Sequence, residues 1–328
     1  MTRGLVIGKF YPPHLGHKFL IDTALAQVDH LDVLICVRPE HAISGELRKQ
    51  WLEEMNPPAN VRTINDPGED DNSEFWANYT VQILGRAPDA VFSSENYGPV
   101  FAKYLGCRHV MVDRERIHFP VSARKIRLSP LVHWEYLAPC VRAYFAKRVC
   151  VVGAESTGKT TLAGDLAAHY KTVSVPEYGR EYCEQLQKAG HDLWNYQWRS
   201  EEFTLIARRQ QELEDRMARE ANRVLICDTD AFATGIWHER YMGKRSYEVE
   251  AIASARRPDL YLLTECDIPF VQDGLRDGES IREGMSARFE QELTSRSSWV
   301  KLYGGREQRL AAAIKEIDKL LKSPEIVA

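Results

Sequence analysis

Short, nearly continuous apolar runs recur along the whole chain, separated by longer segments with apolar positions three and four residues apart. In the first half the runs are Leu5–Ile7, Leu31–Val37, Val61–Ile64, Ala90–Phe92 and Val110–Val112. In the second half they are Val149–Val152, Thr172–Val175, Val224–Cys227, Leu260–Leu263 and Val300–Tyr303. Strands that are apolar throughout, instead of at alternate positions, are covered on both faces, as in parallel sheets. The intervening segments supply that cover. In Lys18–Val28, for example, Leu20, Ile21, Ala24, Leu25 and Val28 keep helical spacing. The expected fold class is therefore α/β, with two doubly wound parallel-sheet domains in tandem. Leu131–Ala146 reads as a helix bridging the halves, because Arg148–Gly153 restarts a buried strand, so the domains are expected at 1–146 and 147–328. A chain of 328 residues is also longer than one compact domain usually holds.

Composition narrows what such a fold does. Apolar residues make up 44% and charged residues 27%, enough core for both sheets. Residues 1–146 carry 16 basic and 17 acidic side chains and the remainder 27 and 30, so neither half is basic. Nucleic acid is therefore not an expected partner, since tracking its phosphates needs a basic face. The seven cysteines include no C-x-x-C pair, and Cys36, Cys150 and Cys227 lie in apolar runs where a thiol packs as a small hydrophobe. That favours a reducing, cytoplasmic setting over a disulfide framework. The start, MTRGLVIGKFYPP, is not a signal peptide, and no apolar run approaches the ~18 residues of a membrane span. Oligomeric state stays open, a homo-oligomer included.

The densest chemical signal is Gly153-Ala154-Glu155-Ser156-Thr157-Gly158-Lys159-Thr160, which fits G-x-x-x-x-G-K-[ST]. By chance the pattern arises in about one chain in a hundred. Here it also follows an apolar strand and precedes a helix carrying Leu162, Ala163, Leu166 and Ala167. Backbone N–H groups of such a P-loop wrap ATP phosphates, so Gly153, Glu155, Ser156, Thr157, Gly158, Thr160 and Thr161 are expected around the nucleotide. Lys159 would reach the β- and γ-phosphates, and the Thr160 hydroxyl would bind Mg²⁺. An acid for that metal is expected at the end of a neighbouring strand, and Val224–Cys227 runs into Asp228-Thr229-Asp230. Asp228 reads either as the metal-side carboxylate or as a helix cap. Thr172–Val175 ends in Pro176-Glu177-Tyr178-Gly179-Arg180, which makes Glu177 a candidate base toward a hydroxyl acceptor, with Arg180, Gln210 and Asp230 as acceptor contacts. Gln210 interrupts the apolar stripe of Phe203–Met217, as a core amide or as a group aimed into the acceptor cleft. Residues 267–282 read as a lid whose Arg276 and Arg282 either neutralise the transferred phosphoryl group or pair with nearby acids.

The first half has a phosphate loop of another kind. Leu5–Ile7 runs into Gly8-Lys9-Phe10-Tyr11-Pro12-Pro13-His14-Leu15-Gly16-His17 and then a helix. Two imidazoles around a glycine at a helix N-terminus can hold an anion, while no third ligand nearby supports a metal site. Late in the domain, Val121-Ser122-Ala123-Arg124-Lys125-Ile126-Arg127 reads as a basic helix start or a solvated basic turn, and the acidic run Asp66–Asn72 as solvated surface.

GKFYPPHLGH, followed about a hundred residues later by SARKIR, resembles the nucleotidylyltransferase superfamily, specifically archaeal-type nicotinamide mononucleotide adenylyltransferases. With a P-loop half, SSENYG (93–98), DTDAFATGIW (228–237) and DGLRDG (273–278), nearly the whole chain resembles the NadR-type bifunctional proteins. The resemblance implies a Rossmann-like adenylyltransferase domain followed by a P-loop ribosylnicotinamide kinase domain, using ATP and Mg²⁺ and making NAD. It implies ATP contacts from Gly8, Lys9, Phe10, Gly16, Arg124 and Arg127, with His14 and His17 catalytic. Two departures stand out. Longer members begin with a helix-turn-helix repressor domain, which this chain is expected to lack because its first strand starts at Leu5. Where Arg124 stands, the family usually has Thr or a small residue, although Arg127 matches its phosphate-binding Arg. Trp76 in the first half, and Trp194 or Trp198 in the second, either stack on a pyridine ring or pack as ordinary aromatics.

The same pairing of domains occurs in coenzyme A synthesis, as phosphopantetheine adenylyltransferase with dephospho-coenzyme A kinase, but DTDAFATGIW and SSENYG point away from it. A nucleotide-sensing regulator with decayed catalysis is the rival of another class. Intact Lys159, Asp228, His14 and His17 speak against decay.

Overall fold

The computed structural model describes residues 1–274, 278–296 and 298–322. They form two compact units, Met1–Arg142 and Ala143 onward. The first is built on β1 (Arg3–Gly8), β2 (His30–Val37), β3 (Asn60–Asn65), β4 (Ala90–Ser93) and β5 (Arg108–Met111), all parallel, in the order β3-β2-β1-β4-β5. Alternation along each strand sends neighbours to opposite cores, as a pleated strand requires. Val6, Val33 and Ile35 pack on one face with Leu20, Ile21 and Phe92, while Leu5, Leu34 and Cys36 pack on the other with Ile64 and Phe101. Both faces are thus dry, which is why the strands read as continuous apolar runs.

The second unit repeats the logic with β6 (Lys147–Val152), β7 (Ser174–Val175), β8 (Val224–Asp228), β9 (Leu260–Thr264) and β10 (Trp299–Leu302), all parallel, ordered β10-β9-β6-β8-β7. In both units the first strand is central, with the next two strands on one side of it and the last two on the other. That topological switch leaves a crevice at the carboxyl ends of the strands, where ligands bind in this class of fold. Among the described residues no helix is long and apolar enough to cross a membrane.

One expected element differs. Leu131–Ala146 is not a single helix but a 3₁₀ turn, Trp134–Tyr136, followed by a helix, Pro139–Phe145. Pro139 has no N–H to donate to a preceding turn, so it opens a new helix instead of continuing one.

Gly98 opens the helix Gly98–Leu105. A Cβ there would stand 2.1 Å from Ser93 Oγ and 2.3 Å from His109 Nε2, groups that are themselves bonded at 2.9 Å. Gly98→Ala is therefore expected to destabilise the first unit by about 1–3 kcal/mol, the usual scale of overpacking. Urea unfolding measures this, and a wild-type midpoint would show that the contact relaxes freely.

Candidate functional sites

In the second unit, the loop after β6 enters the helix Lys159–Tyr170 at the carboxyl edge of the sheet. Gly153 has φ 147°, and a Cβ there would stand 2.7 Å from the Thr264 carbonyl, so this approach admits only glycine. Lys159 Nζ donates to Ala154 O at 2.8 Å. Thr160 Oγ1 donates to Asp228 Oδ2 at 2.5 Å, a meeting made possible by the register in which Asp228 pairs with Val151. Asp228 is buried, and its Oδ1 has no hydrogen-bond partner among the described residues. Burial raises its pKa, while Lys159 and the Thr160 hydroxyl pull it down. A carboxylate with one oxygen on a threonine hydroxyl and the other uncommitted suits a hard divalent cation.

Glu155, Ser156, Thr157, Gly158, Thr160 and Thr161 line a cavity of about 210 Å³ beside this loop, with Glu177, Arg180 and Gln210 across it. Burial lifts the Glu177 pKa well above the usual carboxylate range, against the pull of Lys159 and with added repulsion from Asp228. A carboxyl held there is suited to take a proton near neutral pH. Gln210 Oε1 accepts the Tyr178 N–H at 2.8 Å, capping the helix Tyr178–Lys188, so the amide serves its neighbour helix while standing in the cavity wall. Arg180 pairs with Asp273 at 2.9 Å and Glu184 at 3.3 Å. Trp198 also lines this wall, 5.1 Å from the Phe203 ring and 5.4 Å from that of Tyr241, whereas Trp194 is 65% exposed.

Two expectations change here. Asp230, expected at the acceptor, caps the helix Ala231–Met242 through Ala233 N at 3.0 Å and accepts the Tyr261 hydroxyl at 2.7 Å. Both carboxylate oxygens are thus committed inside the protein, and Thr229 reaches the cavity instead. Arg282, expected in a lid, is buried and donates to the Glu155, Ser156 and Ile268 carbonyls. Arg276 lies outside the described residues.

In the first unit, the loop after β1 enters the helix Leu15–Leu25, with His14 as its cap. His14 Nδ1 accepts from Gly16 N at 3.1 Å, and His17 Nδ1 accepts from His14 N at 3.2 Å. The rings stack with centroids 3.7 Å apart. Gly16 is needed beneath them, because a Cβ would press to 3.0 Å on the His14 ring. Burial pushes both imidazoles down, His14 further through His17 and Arg116, and His17 to about 3 with help from Arg116. Both rings are therefore neutral. With Nδ1 accepting in each, the proton sits on Nε2, which becomes the donor each can offer an anion.

These residues line a cavity of about 650 Å³ together with Gly8, Lys9, Phe10, Trp76, Arg124 and Arg127. Phe10 buttresses His17 edge-on, 5.0 Å between centroids. Arg127 donates to the Tyr11 carbonyl and lies 4.6 Å over its ring, which ties the SARKIR helix to the histidine loop; Arg124 is exposed at the rim. Trp76 Nε1 donates to Glu69 O at 2.7 Å. The acidic run is not simply solvated: Asp66 has a buried side chain 2.8 Å from Arg38, and Asp70 lies 3.3 Å from Lys9.

Comparison with known proteins shows the family. The chain is 32% identical over 303 residues to the trifunctional NAD biosynthesis/regulator protein NadR of Escherichia coli (strain K12), covering 85% of this chain and 73% of that one. The chain belongs to the NadR family. The NadR of Salmonella typhimurium (strain LT2) is likewise 32% identical over 303 residues, covering 85% of this chain and 72% of that protein. A family profile described as an AAA domain matches residues 148–309. Among solved structures, a NadR protein in complex with NR shares the fold at TM-score 0.78 and 21% identity, over 98% of this chain and 96% of that one. A NadR protein in complex with NAD and AMP-PNP gives 0.74 and 22%, over the same shares.

Within this NadR-family chain, several site residues escape sequence reasoning. Arg48 is fully buried and donates to the Lys9 carbonyl at 2.5 Å and the Cys36 carbonyl at 3.3 Å. Its signal was available: it interrupts the buried stripe Trp51, Leu52 and Met55 of one helix. Trp237 and Tyr241 face the smaller cavity from the helix that follows Asp230, and Arg309 reaches the P-loop from the last described helix. Trp237 closes the string DTDAFATGIW, whereas Tyr241 and Arg309 carry no local pattern.

The histidine geometry has a pH consequence. A free imidazole titrates at 6.5, while folded His17 titrates at about 3, so between these values the unfolded chain binds more protons. This contribution to stability is full above pH 6.5 and falls as pH drops toward 3, by up to about 1.4 kcal/mol per pH unit. Ring-nitrogen NMR should find His17 neutral at pH 5, and a midpoint near 6.5 would remove the argument.

Proposed function

We propose that this chain performs two consecutive ATP-dependent steps of NAD biosynthesis: phosphorylation of ribosylnicotinamide in the second unit and adenylylation of nicotinamide mononucleotide in the first. The observation that carries the reading is one chain holding two phosphate cradles of different chemistry. The Lys159–Thr160–Asp228 constellation borders the smaller cavity and the neutral pair His14/His17 the larger. Family membership and the ligands named for the related structures support the substrate assignment.

In the second unit the ribose 5′-hydroxyl would attack the γ-phosphorus of ATP, forming a new P–O bond as the bond to ADP breaks. Glu177, across the cavity from Lys159, takes the hydroxyl proton, and Lys159 follows the charge on the phosphates. Thr160 and Asp228 would hold Mg²⁺, which when bound offsets charge on the phosphate oxygens. Trp198, Phe203 and Tyr241 offer a flat apolar wall for the pyridine ring.

In the first unit the phosphate of nicotinamide mononucleotide would attack the α-phosphorus of a second ATP, and pyrophosphate leaves. No covalent enzyme intermediate is needed. His14 and His17 donate neutral hydrogen bonds, while Arg127 and Lys9 supply positive charge around the triphosphate. Trp76, in the wall of that cavity, is placed for the second pyridine ring.

Because the two cradles belong to different sheets, they should fail independently. Lys159→Ala is expected to abolish phosphorylation of ribosylnicotinamide and leave adenylylation of supplied nicotinamide mononucleotide near normal; His17→Ala should do the reverse. A folded variant that loses both activities would overturn the two-site reading.

The two acids of the kinase cavity should also separate. Glu177→Gln should lower kcat by about 10²–10⁴-fold with little change in KM for ATP, the range of general-base catalysis. Asp228→Asn should instead raise the Mg²⁺ requirement and KM for ATP together. Steady-state kinetics across a Mg²⁺ titration tells them apart, and wild-type turnover in Glu177→Gln excludes it as the base.

A further inference from the structure

The carbonyls of the P-loop are held one after another. Glu155 O accepts from Arg282 Nε at 3.2 Å, and Ser156 O from Arg282 Nη2 at 3.3 Å. Thr157 O accepts from Arg309 Nη1, and Gly158 O from Leu162 N at 2.9 Å. Both arginines are buried, 4% and 3% exposed, and neither belongs to the lining of the adjacent cavity. Each is itself fixed from behind. Arg282 Nη2 also donates to Ile268 O at 3.0 Å, while Arg309 donates to Gly304 O and Glu265 O, both at 2.8 Å, and pairs with Asp267.

A trans peptide is planar, and its C=O and the following N–H point to opposite sides. Holding the carbonyls of residues 155 to 158 on the side away from the cavity therefore turns the N–H groups of Ser156, Thr157, Gly158 and Lys159 toward it. Left alone, such a row of aligned amide dipoles repels itself, and the loop would relax by rotating peptides. The guanidinium groups oppose that rotation with charge-assisted hydrogen bonds. We propose that Arg282 and Arg309 are positioning residues, which aim the amide protons of the P-loop at the ATP phosphates by gripping its carbonyls from the opposite side. This assigns a task to Arg282, which was expected in a lid, and it rests on the kinase reading of the second unit.

The test is Arg282→Met, which keeps the apolar stem and removes the donors. In ribosylnicotinamide phosphorylation, kcat/KM for ATP should fall about ten- to hundredfold, the scale of charge-assisted hydrogen bonds lost, with the loss carried by KM for ATP. KM for ribosylnicotinamide, bound across the cavity, should hold, as should adenylylation by the first unit. Arg282→Lys should recover part of the loss, since an ammonium can still grip one carbonyl. Arg309 is tested as Arg309→Lys, which keeps a charge beside Asp267 and so spares the fold. Unchanged KM for ATP in folded Arg282→Met overturns the proposal. So does a parallel rise of both KM values with a lowered melting temperature, because that is what simple support of the fold predicts. If the wild-type chain phosphorylates no ribosylnicotinamide, the kinase reading fails separately. The proposal is then decided by competition of inorganic tripolyphosphate with an ATP analogue: weaker competition in Arg282→Met supports it, and wild-type competition overturns it.

Discussion

Several amide protons that face one way repel each other, and a loop that binds phosphate has to hold them so before any phosphate arrives. In this protein the repulsion is met by cations on the far side of the loop. Arg282 and Arg309 grip the carbonyls of the P-loop, and Arg48 and Arg127 grip the Lys9 and Tyr11 carbonyls of the histidine loop. Removing a guanidinium from water costs several kcal/mol, so a fully buried Arg48 implies that carbonyl dipoles and neighbouring rings make up most of that cost. Burial pulls its pKa down from the usual arginine value, which is the same cost seen from the proton's side. The sheets place the loops, but these four side chains fix their shape.

The two cradles solve one electrostatic problem differently. The P-loop offers amides, a helix N-terminus and one permanent cation, Lys159, and it answers that charge with Asp228 and Glu177, both raised by burial. The histidine loop offers two neutral donors instead. Stacking 3.7 Å apart in a buried setting leaves no room for two charged imidazoles, so the pair works as donors without accumulating charge. The cations of that cavity stand further out, and Lys9 is half exposed beside Asp70. An exposed ion pair of this kind is worth little, so the ammonium is free to exchange its carboxylate for a phosphate.

Much of this was readable in advance because it is local. Both sheets follow from ten apolar runs, and both phosphate loops from glycine spacing after a strand. Gln210 and Arg48 show where reading becomes ambiguous: each is a polar residue on an apolar helical stripe, and only its partner reveals the task. For Gln210 that partner is the Tyr178 N–H; for Arg48 it is the backbone of the histidine loop. Asp230 shows the opposite failure. It stands in a polar triplet at a strand end, as a catalytic acid would, yet one turn of backbone points it at its own helix and at Tyr261.

The sequence alone determined the α/β class and the two-unit plan and named Lys159, Thr160 and the histidine pair as candidates, since each depends on neighbours within a strand, turn and helix. It left Asp228 open between metal carboxylate and helix cap, and strand register brought it to Thr160. Tertiary structure alone decided that residues 126 to 152 positions away hold the P-loop carbonyls, that Asp66 leaves solvent for Arg38 while Asp70 pairs with Lys9 at the surface, and which tryptophans face a cavity. The reason is physical. Periodicity and glycine spacing record forces acting along the backbone, whereas a hydrogen bond to a carbonyl carries no mark in sequence of which distant side chain supplies it.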